Sequence, residues 1–74
     1  MKIKYTFNVS ERLIERGISK EEMISAIQFG TREDGYDGAI KAVWHRKNAL
    51  PLVVVYYIRG LSNVEIITVY YREQ

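Results

Sequence analysis

The sequence predicts a small α+β protein in the order strand–helix–helix–three-stranded antiparallel meander. Residues 2–7 alternate polar and apolar side chains, which is typical of a half-buried strand. Residues 8–30 contain helix caps and glycine stops, whereas residues 39–72 are rich in the Val, Ile, Thr and Tyr that favour strands. At 74 residues, positions 1–74 are expected to form a single domain.

The first helix is predicted to follow this lead strand, with Asn8 or Ser10 as its N-cap. Short polar side chains at that position accept hydrogen bonds from the first unpaired backbone N–H groups. The helix is expected to run to about Arg16 and to end at Gly17, because glycine readily adopts the left-handed conformation found after many helices. Its predicted inward-facing residues are Leu13 and Ile14.

The second helix has the strongest local signals in the chain. Ser19 and Glu22 have the Ser-x-x-Glu spacing of a capping box, in which each side chain accepts a hydrogen bond from the other residue's backbone N–H. The helix is expected to run to about Phe29 and to stop at Gly30. Its predicted apolar stripe consists of Met23, Ile24 and Ile27.

The rest of the chain is predicted to form a loop and then the meander. The loop is assigned to the polar, glycine-containing residues 31–38, and the Asp and Glu side chains in it are read as solvated. The three strands are assigned to residues 39–46, 52–59 and 64–72.

Simple hairpin turns would place Arg46 opposite Pro51 and Arg59 opposite Val64. Side-chain alternation then puts Arg46, Arg59 and Arg72 on one face of the sheet. In this register both faces are largely apolar, although two short helices cover only one of them. Self-association or a protein partner on the open sheet face is therefore expected. The alternative is that the sheet curls and its own Tyr and Arg side chains screen that face.

Basic and aromatic residues collect at one end of the predicted sheet. The net charge is +2, and residues 38–72 hold five Lys and Arg residues against one Glu. Attraction to phosphate is one reading of this distribution, and an ordinary mixed surface is the other. The strand ends that meet at this edge supply His45, Arg46, Lys47, Tyr70, Tyr71 and Arg72.

These residue types suit RNA chemistry. A histidine titrates near neutral pH and serves as a general acid or base, although His45 also suits a plain surface position. Arginines bind phosphate through two parallel hydrogen bonds, and tyrosines stack on bases. With one histidine and no cysteine, no metal site or cofactor is predicted. The longest apolar run is too short to span a bilayer, so no membrane association is expected. The absence of cysteine suits a reducing cytoplasm, which is the expected compartment.

Residues 7–22 and 66–72 resemble the opening and the closing strand of a family of small prokaryotic proteins of unknown function. That family is similar to the RelE/ParE toxin superfamily, which shares the predicted order of helices and strands. The resemblance implies metal-independent mRNA cleavage neutralised by an antitoxin protein, or, for ParE-type relatives, inhibition of gyrase. Asn8 stands where the family usually has a histidine. The pattern of basic and Tyr residues carries over to Arg46, Lys47, Arg59, Tyr70, Tyr71 and Arg72.

Two functions are therefore predicted as alternatives. The first is a toxin-like protein that binds or cleaves RNA. Its candidate catalytic residues are His45, Arg46, Tyr71 and Arg72, and its candidate RNA-binding residues are Lys47, Arg59 and Tyr70. The second is a non-catalytic homodimer or partner-binding protein, with a ParE-like inhibitor of a protein target as a further variant.

Overall fold

The computed structural model describes residues 1–73 and has an α+β fold. A five-stranded mixed sheet is packed against two helices, and its strand order is β1-β5-β4-β3-β2. Strand β1 runs parallel to β5, and all other neighbouring strands are antiparallel. The elements are β1 (Lys2–Tyr5), α1 (Phe7–Glu15), α2 (Lys20–Phe29), β2 (Thr31–Asp34), a 3-10 turn (Tyr36–Gly38), β3 (Ile40–Trp44), β4 (Leu52–Gly60) and β5 (Asn63–Tyr71).

The predicted loop at residues 31–38 is wrong in its first half. Residues Thr31–Asp34 form strand β2, which pairs with β3 and makes the meander four-stranded rather than three-stranded. This edge strand is exposed along its whole length and consists of Thr, Arg, Glu and Asp. Charged residues of this kind are common on edge strands but give no strand pattern in the sequence. The pairing with β3, and not local propensity, makes this segment a strand.

Helix α1 begins earlier than predicted. Its N-cap is Thr6, whose hydroxyl accepts a hydrogen bond from the Val9 N–H at 3.4 Å, so the predicted caps at Asn8 and Ser10 are wrong. The earlier start turns Val9 and Leu13 toward the sheet, and both are buried. Ile14 was predicted to face inward but lies on the outer surface. Neither helix in residues 1–73 is long and apolar enough to cross a membrane.

The capping signals of α2 are confirmed. The Ser19 hydroxyl accepts from the Glu22 N–H, and Glu22 Oε1 accepts from the Ser19 N–H, both at 3.0 Å. Gly17, in the short joint between the helices, has a left-handed φ of 64°. Gly30 is the C-cap of α2 but has extended backbone.

Both helices lie on one face of the sheet, called here the helix face. Helix α1 packs on β5, and α2 packs on β3 and β4. The core between these layers contains buried residues from both helices and from β3, β4 and β5, with Tyr56 and Met23 among the largest.

The opposite face, called the open face, is not covered by either helix of the described residues but is not bare. Four of its aliphatic side chains are buried, and the rings of Tyr57 and Tyr70 pack against them. The four are Ala39, Val43, Val53 and Val55. Screening by the protein's own side chains, which was the alternative reading, therefore accounts for much of this face.

The predicted register is wrong for the first hairpin and partly right for the second. Trp44 lies opposite Leu52, one residue away from the predicted pairing. In the β4–β5 hairpin the pairing is as predicted from Leu52 to Val55. A bulge at Ile67 shifts it by one residue from Tyr56 to Ile58, and a second irregularity restores it at Gly60. The slip in the first hairpin moves Arg46 to the face opposite Arg59 and Arg72, with which it was predicted to share a face.

Two glycine substitutions test how closely α2 approaches the sheet. A Cβ on residue 30 would lie 2.5 Å from the Ala26 carbonyl oxygen and 3.0 Å from the Val43 backbone, which has little room to move. At Gly17 a Cβ meets nothing within 4 Å, so only backbone strain opposes it. We expect Gly30→Ala to lower the free energy of unfolding by roughly 3 kcal/mol and Gly17→Ala by about 1 kcal/mol. Urea denaturation measures both, and equal losses would contradict this packing.

Candidate nucleic-acid interface

The sheet divides the predicted strand-end cluster between its two faces. Arg46 and Tyr71 lie on the helix face, where Arg46 contacts Trp44 and Glu22. Tyr70 packs on the open face, and Arg72 pairs there with Glu33 of β2. This division follows from strand alternation, because Tyr71 pairs with Leu52 of the core while Tyr70 pairs with Val53.

Arg46 is engaged within the protein. Its Nη1 donates to Glu22 Oε2 at 2.6 Å, and its guanidinium lies 5.2 Å from the centre of the Trp44 ring and 5.7 Å from that of Tyr71. The side chain is 20% exposed, and its Nε is buried without a hydrogen-bond partner within residues 1–73. Arg46 therefore ties α2 to the sheet end and leaves little of its charge for an outside ligand.

The carboxylate that receives Arg46 serves two purposes. Glu22 closes the capping box through Oε1 and holds Arg46 through Oε2. The hydrogen bond from the Ser19 backbone is the largest cause that lowers the pKa of Glu22, and Arg46 lowers that pKa further. The negative charge on Glu22 is thus stabilised by the folded state.

On the open face, Arg72 and Glu33 form a bidentate ion pair. Arg72 Nη1 and Nη2 donate to the two Glu33 carboxylate oxygens at 3.1 and 3.0 Å. Because Arg72 follows β5 and Glu33 belongs to β2, this pair crosses the two strands between them, β3 and β4. A guanidinium is thereby held above the middle of the open face.

Two more basic side chains, those of Lys41 and His45, lie near this ion pair. Hydrogen bonding to Arg72 lowers the pKa of Glu33 most, and Lys41 and His45 lower it further through their charges. Glu33 also raises the pKa of Arg72, and the nearby Tyr70 adds to that effect. We call these five residues the open-face cluster: Glu33, Lys41, His45, Tyr70 and Arg72.

A second basic group lies at the other end of the open face, beside β1. Ile3 and Tyr5 pack into the core, so Lys2 and Lys4 project from the opposite face. Next to them Arg59 forms an ion pair with Glu65 at 2.8 Å and lies 4.5 Å from the centre of the Tyr57 ring. Lys2, Lys4, Arg59 and Glu65 line a depression of about 640 Å³.

The strand positions of the open face therefore carry net positive charge. Five permanent cations stand against the two carboxylates Glu33 and Glu65, with His45 as a further titratable group. The cations are Lys2, Lys4, Lys41, Arg59 and Arg72. Clustered cations beside aromatic rings are what single-stranded nucleic acids require of a binding surface.

Lys47 lies apart from these groups. It is exposed in the connection between β3 and β4, and it forms no ion pair with any residue in 1–73. The next residue, Asn48, has a left-handed φ of 60°. The backbone turn thus begins beside Lys47, and the residue is not fixed on either face.

Sequence reasoning missed Lys2, Lys4, Glu33 and Lys41 as site residues. The alternation in residues 2–7 already placed the two early lysines opposite Ile3 and Tyr5, so their side of the sheet could have been found. Glu33 could not, because its position depends on the unpredicted strand β2. Lys41 joins the site because it pairs with Glu33 across β2 and β3.

Comparison of the chain with family models, curated proteins and solved structures found no match. The resemblance to the small prokaryotic family therefore stays a prediction. The function proposed below is based on the charges and faces of the described residues.

The double role of Glu22 gives a test with an internal control. Gln keeps the capping box but loses the charge opposite Arg46, whereas Ala loses both. At pH 7 we expect Glu22→Ala to cost about 2 kcal/mol of unfolding free energy and Glu22→Gln about half as much. The folded state lowers the pKa of Glu22, so the ion-pair contribution is complete above its ordinary value of 4.5 and disappears as the pH falls through the folded-state pKa.

Denaturation curves of the wild type and Glu22→Gln, recorded from pH 7 to pH 3, check that behaviour. The difference in stability between the two proteins is expected to close at the acid end. A constant difference over the whole range would contradict the role assigned to the carboxylate charge.

Proposed function

We propose that this protein is a toxin-like RNA-binding protein that holds single-stranded RNA on its open face and cleaves it without a metal ion. The proposal is carried by one observation, the five cations and two tyrosine rings gathered on the sheet face that no helix covers. It agrees with the expected resemblance to RelE-type toxins. We propose that this chain has the same order of strands and helices as those toxins, with one strand added. Action on transcripts implies a cytoplasmic location.

Two features favour RNA over a small anion. The basic groups extend from Lys2 and Lys4 on β1 to Lys41 on β3, a distance of about three strand spacings, or roughly 14 Å. A chain of phosphates can contact basic groups that lie this far apart, whereas a single phosphate cannot. Tyr57 and Tyr70 lie between them on strands β4 and β5, where partly exposed rings offer stacking surfaces for bases.

The open-face cluster supplies the chemistry of metal-independent cleavage. An incoming phosphate replaces Glu33 as the partner of Arg72, since both present two oxygens to the guanidinium fork. His45 accepts the proton of the ribose 2′-hydroxyl as that oxygen attacks phosphorus, and returns it to the departing 5′-oxygen. Lys41 and Arg72 stabilise the extra negative charge on the phosphorus centre.

This scheme leaves Arg46 and Tyr71 in a supporting position. Their mutual contact and the Glu22 ion pair keep them on the helix face, so they hold the sheet end that carries His45 and Arg72. Arg59 keeps its proposed RNA-binding role at the β1 end. Lys47 is proposed as an accessory phosphate contact, since its exposed side chain has no ion-pair partner within residues 1–73.

A protein partner is proposed on the same face. An antitoxin that neutralises this site would cover the open-face cluster with acidic side chains, which pair with Lys41 and Arg72 in place of phosphate. Charge complementarity favours such a partner over self-association. The aliphatic residues of the face are already buried, and two like-charged faces repel each other.

Charge variants test RNA binding. Each phosphate contact to a single strand contributes about 0.7 to the salt dependence of log K, so losing one cation weakens binding roughly fivefold at 0.1 M salt. We expect Lys41→Ala and Arg72→Ala to show this loss for a fluorescent oligouridylate in an anisotropy titration. Glu33→Gln should bind more tightly, because it removes the carboxylate that competes for Arg72.

The matched control is Lys20→Ala, which removes the same charge from an exposed position at the start of α2 on the other side of the protein. That variant should bind as the wild type does. Equal weakening by Lys20→Ala and Lys41→Ala would mean that only net charge matters, and the open-face site would be rejected.

Cleavage is tested separately with His45→Ala. We expect this variant to bind RNA normally but to cleave it 10²- to 10⁴-fold more slowly, as removal of a general base predicts. Cleavage by the wild type should persist in EDTA and its expression should arrest growth, with Arg72→Ala relieving both effects. Normal growth and intact transcripts under strong expression of the wild type would refute the enzymatic part.

A further inference from the structure

A groove along the outer edge of β5 lies next to the open face. Strand β1 pairs only with the first part of β5, Asn63–Ile66, so no strand formed by residues 1–73 lies beside the remainder of that edge. The chain leaves β1 at Thr6 and enters α1, which runs over β5. A groove of about 520 Å³ remains between the helix and the unpaired edge.

Two cations line this groove. Arg12 and Arg16 are one helical turn apart on α1, and the Arg16 Nη1 donates to the Val69 carbonyl at 2.8 Å. Within residues 1–73 neither arginine has a carboxylate within 4.0 Å, in contrast to Arg46, Arg59 and Arg72. The groove thus has positive charge that no ion pair neutralises, against the one lining carboxylate of Glu73.

Tyr70 joins the groove to the open-face cluster. The Tyr70 ring packs on the open face, where Arg72 pairs with Glu33, and the same residue lines the groove. Thr68 and Tyr71 complete the wall, so a second aromatic ring is available beside the arginines. A strand of RNA that leaves Arg72 therefore meets aromatic rings and two cations, and Glu73 is the one carboxylate within residues 1–73 that lines this part of the path.

The far side of α1 limits this path. Glu11 and Glu15 line a separate depression on the helix surface, beside Arg12. Their charges repel a phosphate chain that continues around the helix. The basic groove thus ends at Glu11 and Glu15, and these carboxylates limit an RNA path that runs from Arg72 to Arg16.

We infer that the single-stranded RNA held on the open face continues around the unpaired edge of β5 and into the groove of Arg12 and Arg16. This inference rests on the proposed RNA-binding function and adds a second contact region to it. An acidic peptide is the other occupant that two arginines would accept. The tyrosine rings and the continuity with the open face favour RNA.

The test compares labelled oligouridylates of four and twelve nucleotides. The short one is expected to fill only the open face, whereas the long one reaches the groove. We expect Arg12→Gln combined with Arg16→Gln to weaken binding of the 12-mer roughly 25-fold at 0.1 M salt, about fivefold for each cation, and to leave binding of the 4-mer unchanged. Arg12→Gln alone should weaken binding of the 12-mer about fivefold. Because the Arg12 side chain forms no hydrogen bond within residues 1–73, this single variant controls for misfolding of the double variant.

Arg32→Gln is the matched control, because Arg32 also has no ion pair within residues 1–73 and lies on the edge strand β2. It should bind both oligonucleotides as the wild type does. Unchanged 12-mer binding by the double variant, with both oligonucleotides weakened by Lys41→Ala, would overturn the groove path and leave the open-face function standing. No binding of either oligonucleotide by the wild type would overturn both, and arginine-dependent binding of decaglutamate but not of the 12-mer would assign the groove to an acidic peptide.

Discussion

Two helices cover only one face of a five-stranded sheet, and the rest of the structure depends on how the other face is protected from water. The helix face has an ordinary layered core with Tyr56 and Met23 at its centre. The open face has to bury Val43 and Val53 without another layer. It does so with Tyr57, Tyr70 and an ion pair that spans two strands. Burying an aliphatic side chain contributes about 1.5–3 kcal/mol, so leaving such residues in water would weaken so small a domain substantially.

This solution places charge where the proposed function needs it. A hydrophobic cover would have sealed the face, whereas Arg72 and Glu33 can separate when a competing anion arrives. Exposed ion pairs contribute little to stability, so exchanging one partner for a phosphate has a small cost. By contrast, Arg46 is held by Glu22 and by two aromatic rings. The two arginines differ in availability because the sheet puts them on opposite faces.

The parts of the fold that could be predicted from the sequence are those determined locally. The Ser19–Glu22 capping box and the left-handed Gly17 depend on a few adjacent residues, and both are confirmed. Strand β2 depends on hydrogen bonds to β3, so its Thr-Arg-Glu-Asp sequence gives no indication of it. The N-cap of α1 was misplaced because three hydroxyl or amide residues compete there, and Thr6 is the earliest of them.

The candidate site was harder to predict because it depends on register. The connection after β3 shifts the pairing by one residue, and that shift exchanges Arg46 for His45 on the open face. The bulge at Ile67 shifts β5 in the same way further along. Since side chains alternate with a period of two, one residue of slip is enough to send a side chain to the other face. The residue types of the site were therefore readable, but not their grouping.

The short lead strand has a consequence for how the protein behaves among copies of itself. Besides the outer side of the short β1, its sheet has two edges where another strand could add, along β2 and along the second half of β5. The first is lined with Arg, Glu and Asp, and on the second a guanidinium occupies the Val69 carbonyl. Sheet edges guarded by charge resist the stacking that leads to fibrils. Arg16, which is proposed to contact RNA, thus also helps to keep a concentrated solution of this protein from aggregating, together with the charged residues of β2.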